Sequence, residues 1–224
     1  MLTQYNIRNI KLAIFDLDNT ILKIDSDYEM VNYLIDKNFI LEKYRKINED
    51  YFNSYEDGSI NINNFSEFSL QPFVGMTQKD INFILDDFYY KIIEPSYDLN
   101  LIKRINEHKK ANQETLLASA TNSLIVSYVA EKLGFKNFIS SEVVFRSGRC
   151  TGKVEKPHAL GEGKLKLVKK FFSNYNFNLN KACFYSDSIN DLPLLKAVHM
   201  PIAVNPDKNL KKFAKTNNWM IINN

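Results

Sequence analysis

The chain has 224 residues, with 29 Lys or Arg against 26 Asp or Glu, a formal charge of +3 and 45% hydrophobic residues. Its 16 Phe and 12 Tyr exclude a disordered chain, and only 7 Gly and 6 Pro exclude a collagen-like or linker-like one. Two cysteines cannot build a disulfide framework, and no run approaches the ~20 apolar residues that span a bilayer.

The length suits one large α/β domain, or a core with a second module. Cys150, in a polar turn region, and Cys183, in an apolar run, read as reduced thiols, which favours a cytoplasmic location. The polar stretch Met1–Asn9 carries no apolar signal segment.

In chain order, Lys11–Phe15 is too short for a helix and suits a buried parallel strand ending at Asp16. Helical spacing then dominates, at Tyr28–Ile35, Leu41–Tyr55, Phe65–Phe73 and Lys79–Ile93, until Pro95 punctuates it. This segment, residues 24–97, holds 14 acidic and 6 basic residues, a net −8, while the remainder carries +11. The split suggests two modules facing one another across a site, or simply two solvated surfaces. The scattered Lys and Arg, without zinc spacing or an aromatic RNA-reading motif, argue against nucleic acid.

Alternation then resumes: helix Leu99–Lys110, strand Thr115–Ala118, helix Leu124–Leu133 stopped by Gly134, and strand Lys136–Ser140. Ser147-Gly148 joins Glu142–Arg146 to Arg149–Val154 as a hairpin. Helix Lys164–Phe172, strand Ala182–Tyr185, helix Leu192–Val198, strand Pro201–Val204, helix Asn209–Thr216 and strand Trp219–Ile222 complete the pattern. His108 reads as helix surface. The fold expected is α/β, a Rossmann-like parallel sheet with helices on both faces.

The chemistry-bearing residues fall at strand ends, where open α/β sheets bind ligands. Asp16-Leu17-Asp18-Asn19-Thr20 follows the first strand; two carboxylates there supply a nucleophile and an acid or base, and their repulsion calls for a divalent cation. Ser119 ends the next strand before a helix N-terminus and suits a phosphate cradle. Gly161-Glu162-Gly163-Lys164 opens a helix and lacks the spacing of a nucleotide P-loop, but Lys164 can neutralise a phosphate. Ser186-Asp187-Ser188-Ile189-Asn190-Asp191 adds two carboxylates at a third strand end, oxygen ligands that suit Mg²⁺. Each segment alone also reads as an ordinary turn or helix cap.

Taken together, these four segments resemble the haloacid dehalogenase superfamily of aspartate-nucleophile phosphatases, most closely its phosphoserine-phosphatase-like subfamily IB, over residues 11–222. Asp25-Ser26, Ser119-Ala120-Thr121, Gly161–Lys164, Asp187–Leu195 and Val204-Asn205-Pro206-Asp207-Lys208 carry the likeness. It implies a core of residues 1–23 and 98–224 with a mostly helical C1-type cap, residues 24–97. It implies Asp16 as nucleophile, forming an aspartyl-phosphate, and Asp18 as acid and base. Mg²⁺ would be held by Asp16, the carbonyl of Asp18, and Asp187, supported by Asp191 and Asn190. Ser119, Ala120 and Lys164 would bind the phosphoryl group, and Asp25 a substrate amine. Two departures stand out: Ser186 where the family usually has Gly, and Asn19 at a frequent Gly.

The substrate expected is a small phosphate monoester with an amine: phosphoserine first, then phosphoethanolamine, phosphocholine or histidinol phosphate. Neither nucleic acid nor membrane is expected as a partner, and the chain is expected to be a monomer or homodimer. The alternative is a non-catalytic phosphate-ligand module on the same scaffold. A receiver domain is typically half this length, a cation-pumping ATPase needs transmembrane helices, and an Asp-x-Asp glycosyltransferase has no need of Ser119 or Lys164. His158, close to Lys164 in sequence, reads as a plain loop histidine, the alternative being one that reaches the substrate.

Overall fold

The computed structural model describes residues 9–56, 58–175 and 178–223; Met1–Arg8 of the polar N-terminal stretch lie outside them. The described residues contain eight β-strands and nine α-helices. β1 (Leu12–Phe15) is buried along its whole length, as its apolar run requires. It pairs in parallel with β2 (Glu114–Asn122) on one side and β6 (Ala182–Ser186) on the other. With β3 (Asn137–Ser141), β7 (Met200–Val204) and β8 (Met220–Ile222) the parallel sheet has the order β3-β2-β1-β6-β7-β8. The chain reverses its direction of travel between β1 and β6, and this is where such sheets open a crevice for ligands.

Alternation along the strands feeds two cores. Ala13, Phe15, Leu117, Cys183 and Tyr185 face α5 (Leu99–Lys110) and α6 (Ser123–Leu133). Leu12, Ile14, Leu116, Ala182 and Phe184 face α7 (Glu162–Tyr175), α8 (Leu192–Ala197) and α9 (Lys208–Thr216). Period-two strands thus bury both sides under helices, as expected from the sequence.

Between β1 and α5 lie α1 (Ser26–Asp36), α2 (Tyr44–Glu56), α3 (Ile62–Leu70) and α4 (Gln78–Phe88), the last continued by a looser turn through Ile93. Local chemistry sets their starts: Asp25 accepts from the Tyr28 N–H, and Thr77 and Asp80 form a reciprocal capping box. The hairpin β4 (Val143–Arg146) and β5 (Arg149–Val154) belongs to a separate two-stranded sheet. It docks on this helical layer through backbone bonds of Cys150 with Met76 and Gly75.

Two readings are corrected. Cys150 is not in a polar turn but is a buried residue of β5, where the apolar interior excludes water from its thiol. His108 is not on the helix surface. It continues the Leu101–Ile105 stripe of α5 and is 2% exposed, bonded to the Tyr185 hydroxyl at 2.9 Å and to Gln113. Among the described residues no helix is long and apolar enough to cross a membrane.

Candidate active site

The site is built at the carboxyl ends of β1, β2 and β6. Asp16 leaves β1 with its N–H bonded to the Tyr185 carbonyl of β6, which holds the turn against the sheet. The turn then reverses through Asn19 at φ 51°, a left-handed conformation that asparagine tolerates and glycine often supplies. The reversal brings Asp18 onto the start of α1, where it accepts from the Ser26 N–H at 2.8 Å and from the Thr121 hydroxyl.

Lys164 joins the motifs. It is 2% exposed, and its Nζ lies 3.0 Å from Asp16 Oδ1 and 2.7 Å from Asp191 Oδ1. Burial works against its charge, but Asp16 and Asp191 outweigh that and hold it protonated well above the usual lysine range. Gly163 makes this placement possible: a Cβ there would sit 2.0 Å from the His158 carbonyl oxygen, so only glycine lets α7 start so close. Ser186 donates to Asp191 Oδ2 at 2.8 Å. Its position in an extended strand needs no positive φ, so the departure from glycine is accommodated and adds a bond.

Asp187 accepts from the Thr20 hydroxyl at 3.1 Å. Burial first, then Asp16 and Asp191, pushes its carboxyl well above the usual range. Burial likewise carries Asp16 up to about 7 against the pull of Lys164, and Asp18 up to about 6 with the help of Asp25. Asp16 and Asp191 thus share Lys164, and Asp187 feels the charge of both; an excess of carboxylate of this kind suits a divalent cation. Among the described residues no group of three or more His, Cys, Asp or Glu is arranged to hold a metal by itself. A cation here would therefore also draw on carbonyl, substrate and water oxygens, as Mg²⁺ does.

Ser119 is buried on β2, its Oγ accepting from the Thr121 N–H at 3.1 Å, and the Ala120 carbonyl accepts from Ser141. Asn190 lies in the 3₁₀ turn before α8, its N–H bonded to the Ser188 hydroxyl. His158 bonds Asn63, in the first turn of α3, Nε2 to Oδ1 at 3.1 Å, and is not among the residues that line the cavity beside Asp18. Above Asp18 a cavity opens into the helical layer. Asp18, Asp25, Asp27, Ala120 and Thr121 line it, together with Tyr28, Asn48, Tyr51, Phe52, Tyr55 and Phe65 from the helical layer. Asp25, pushed up to about 6 by burial, both caps α1 and lines this cavity. Asp27 accepts from Asn122 at 2.5 Å. The sequence reading quoted Thr20, Thr121 and Ser186 within their motifs but gave them no role; their hydroxyls fix Asp187, Asp18 and Asp191. Tyr55 and Asn48 went unread, because nothing local says which face of α2 turns toward β1.

A parallel α/β sheet thus carries an aspartate at the end of its central strand, a buried lysine against it and a helical layer above. The chain belongs to the haloacid dehalogenase-like hydrolases, whose family matches residues 13–196. It is 35% identical to the histidinol-phosphatase of Neisseria meningitidis, over 95% of this chain and 98% of that protein. A protein of unknown function from Bordetella pertussis superposes with a TM-score of 0.88 at 31% identity, covering 95% of this chain and 98% of the other. A substrate-bound phosphoserine phosphatase superposes at TM-score 0.70 and 17% identity, over 95% and 92%, a likeness of fold. The chain is an enzyme of this family's phosphatase kind.

Proposed function

We propose that this enzyme hydrolyses a small amine-bearing phosphate monoester by way of an aspartyl-phosphate on Asp16, with histidinol phosphate the foremost substrate. The observation that carries the substrate class is the cavity over Asp18. Besides Asp18, two carboxylates, Asp25 and Asp27, and a wall of aromatic rings line it, and among the described residues no Lys, Arg or His does. An ammonium finds charge there, and a flat ring finds stacking surface. The carboxylate of phosphoserine finds no cation among the described lining residues, which moves that ester to second place. The relative named histidinol-phosphatase supports the same order.

In this reading residues 24–97 act as the cap and the remainder as the catalytic core. Lys164 orients Asp16 and, with Ser119, offsets the charge of the phosphoryl oxygens. An Asp16 oxygen bonds to phosphorus as the ester P–O bond breaks, and Asp18 gives its proton to the leaving oxygen. Burial raises its affinity for that proton, while its bonds from Ser26 and Thr121, which by themselves favour the charged form, hold the carboxyl in place for the return step. Water then attacks phosphorus while Asp18 takes back a proton, releasing phosphate and freeing Asp16. Mg²⁺, held by Asp16, the Asp18 carbonyl and Asp187, would supply charge neutralisation at the phosphoryl group.

The test is phosphate release from histidinol phosphate, phosphoserine, phosphoethanolamine and glycerol phosphate. The expected order of kcat/KM places histidinol phosphate first and glycerol phosphate last. A preference for phosphoserine would overturn the substrate assignment, and no release from any ester would overturn the activity.

A further inference from the structure

Asn48 is fully buried in α2, and it lines the cavity above Asp18. Its amide nitrogen donates to the Tyr28 carbonyl at 3.0 Å and to Asn32 Oδ1 at 3.2 Å. Both hydrogens are therefore in use. Its Oδ1 is buried and has no hydrogen-bond partner among the described residues.

This orientation of the amide is dictated by its neighbours. A carbonyl oxygen such as that of Tyr28 can only accept, so nitrogen must face it. Asn32 is fixed in turn by Arg45, whose Nη1 donates to Asn32 Oδ1 at 3.4 Å. Arginine has no acceptor, so Asn32 must turn its oxygen this way. Arg45 is itself held by Asp36 at 2.8 Å and Glu42 at 2.7 Å. A chain of contacts from a surface ion pair thus leaves one group of Asn48 for an occupant of the cavity, and that group is an acceptor. Nearly all buried polar groups in folded proteins are paired, so an unpaired one beside a cavity points to a ligand.

We propose that Asn48 is a specificity-determining residue whose Oδ1 accepts a hydrogen bond from a ring N–H on the alcohol portion of the substrate. The aromatic walls suit a flat ring, and Asp25 and Asp27 suit its cationic companion, which leaves Asn48 to read the ring's N–H. A site built to accept from an N–H discriminates strongly against an analogue that lacks one, because its buried acceptor then stays unpaired. The inference rests on the amine-bearing substrate class argued above and adds to it the atom that recognises the ring.

Calorimetric titration with histidinol and its two ring-N-methyl isomers tests this without requiring turnover. At a pH where the rings are neutral neither methyl isomer has a ring N–H, so on the wild-type enzyme both are expected to bind about 10- to 100-fold more weakly than histidinol, the range of one lost hydrogen bond in a closed site. Asn48→Leu, close to asparagine in shape, is expected to weaken histidinol by a similar factor and to erase the methyl discrimination. Equal affinities of all three ligands on the wild type would overturn the proposal whether or not the variant folds, as would no binding of histidinol. A methyl penalty of the same size in Asn48→Leu would overturn it too, since it would be steric. Tight, discriminating binding without hydrolysis of histidinol phosphate would instead sink the activity and leave the Asn48 assignment standing.

Discussion

The floor of the site and the cavity above it solve different problems with the same residue type. On the floor, Asp16 and Asp191 close on one buried lysine, and the Asp187 carboxyl accepts from the Thr20 hydroxyl. In the cavity, Asp25 and Asp27 meet aromatic rings and no cation among the described lining residues. Floor carboxylates are placed by strand ends and held by hydroxyls and Lys164, so their geometry is set by the sheet. Cavity carboxylates are placed by the start of α1, and what surrounds them depends on how α2 and α3 pack. A substrate therefore meets a rigid charge cluster at its phosphate and a shape- and charge-selective wall at its alcohol. Changes on the floor should act on kcat for every ester, and changes in the cavity should act on KM for particular ones.

The strongest way to break this contrast is Asp16→Asn. Removing the nucleophile while keeping its shape is expected to lower kcat by at least about 1000-fold for all esters. Thermal denaturation should show no loss of stability, because burial already disfavours the charge that is removed. Near-wild-type turnover would refute Asp16 as nucleophile and with it the division of labour.

Chelation comes next in size. Excess chelator is expected to remove activity towards amine-bearing and neutral esters alike, and added Mg²⁺ to restore it. Ca²⁺ should restore little, since its larger and looser coordination misplaces carboxylate oxygens. Full turnover in chelator would show that Lys164 alone balances the floor.

Asp25→Asn probes the cavity. Asparagine caps a helix as well as aspartate does, so α1 should keep its start. Losing one partly screened charge near an ammonium is expected to raise KM for amine-bearing esters about tenfold. The value for glycerol phosphate should barely move. Steady-state kinetics on both esters decides, and equal shifts would return Asp25 to a purely structural role as cap.

The same contrast explains what could be read from sequence. Asp16, Asp18, Ser119, Lys164, Asp187 and Asp191 follow short apolar runs or open helices, so their convergence follows from strand order. The parallel sheet and the helical layer were legible for the same reason, though not the strand order: period-two and period-3.6 patterns report local burial. The cavity was not legible, because Asn48, Tyr51 and Tyr55 are polar or amphipathic residues whose burial depends on helix–helix contacts. The docking of Cys150 on Met76 is a pairing between distant segments that no local pattern encodes. His108 is an instructive intermediate case. Its spacing from Leu101 and Ile105 places it on the buried stripe of α5, but its polarity favoured the surface.

His108 also yields the smallest effect, at a point away from both the floor and the cavity. Burial lowers the affinity of its ring for a proton, which Gln113 and Glu107 partly offset and Arg104 reinforces. The folded protein therefore binds this proton less readily than the unfolded chain, whose histidine titrates near 6.5. Below that pH the unfolded state takes up more protons, so the stability contributed by neutral His108 is present above about 6.5 and is lost as pH falls. His108→Gln is expected to lower stability at pH 7.5 by about 1–3 kcal/mol, through the bond to Tyr185 and the edge contact with Phe15. Between pH 7.5 and 5 the gap between wild type and variant should narrow, because only the wild type pays for protonation there. Differencing the two proteins cancels the site carboxylates, which both retain. Chemical denaturation across that range provides the measurement. A gap that does not change with pH would mean that His108 is protonated as easily in the fold as outside it, and that its burial carries no electrostatic cost.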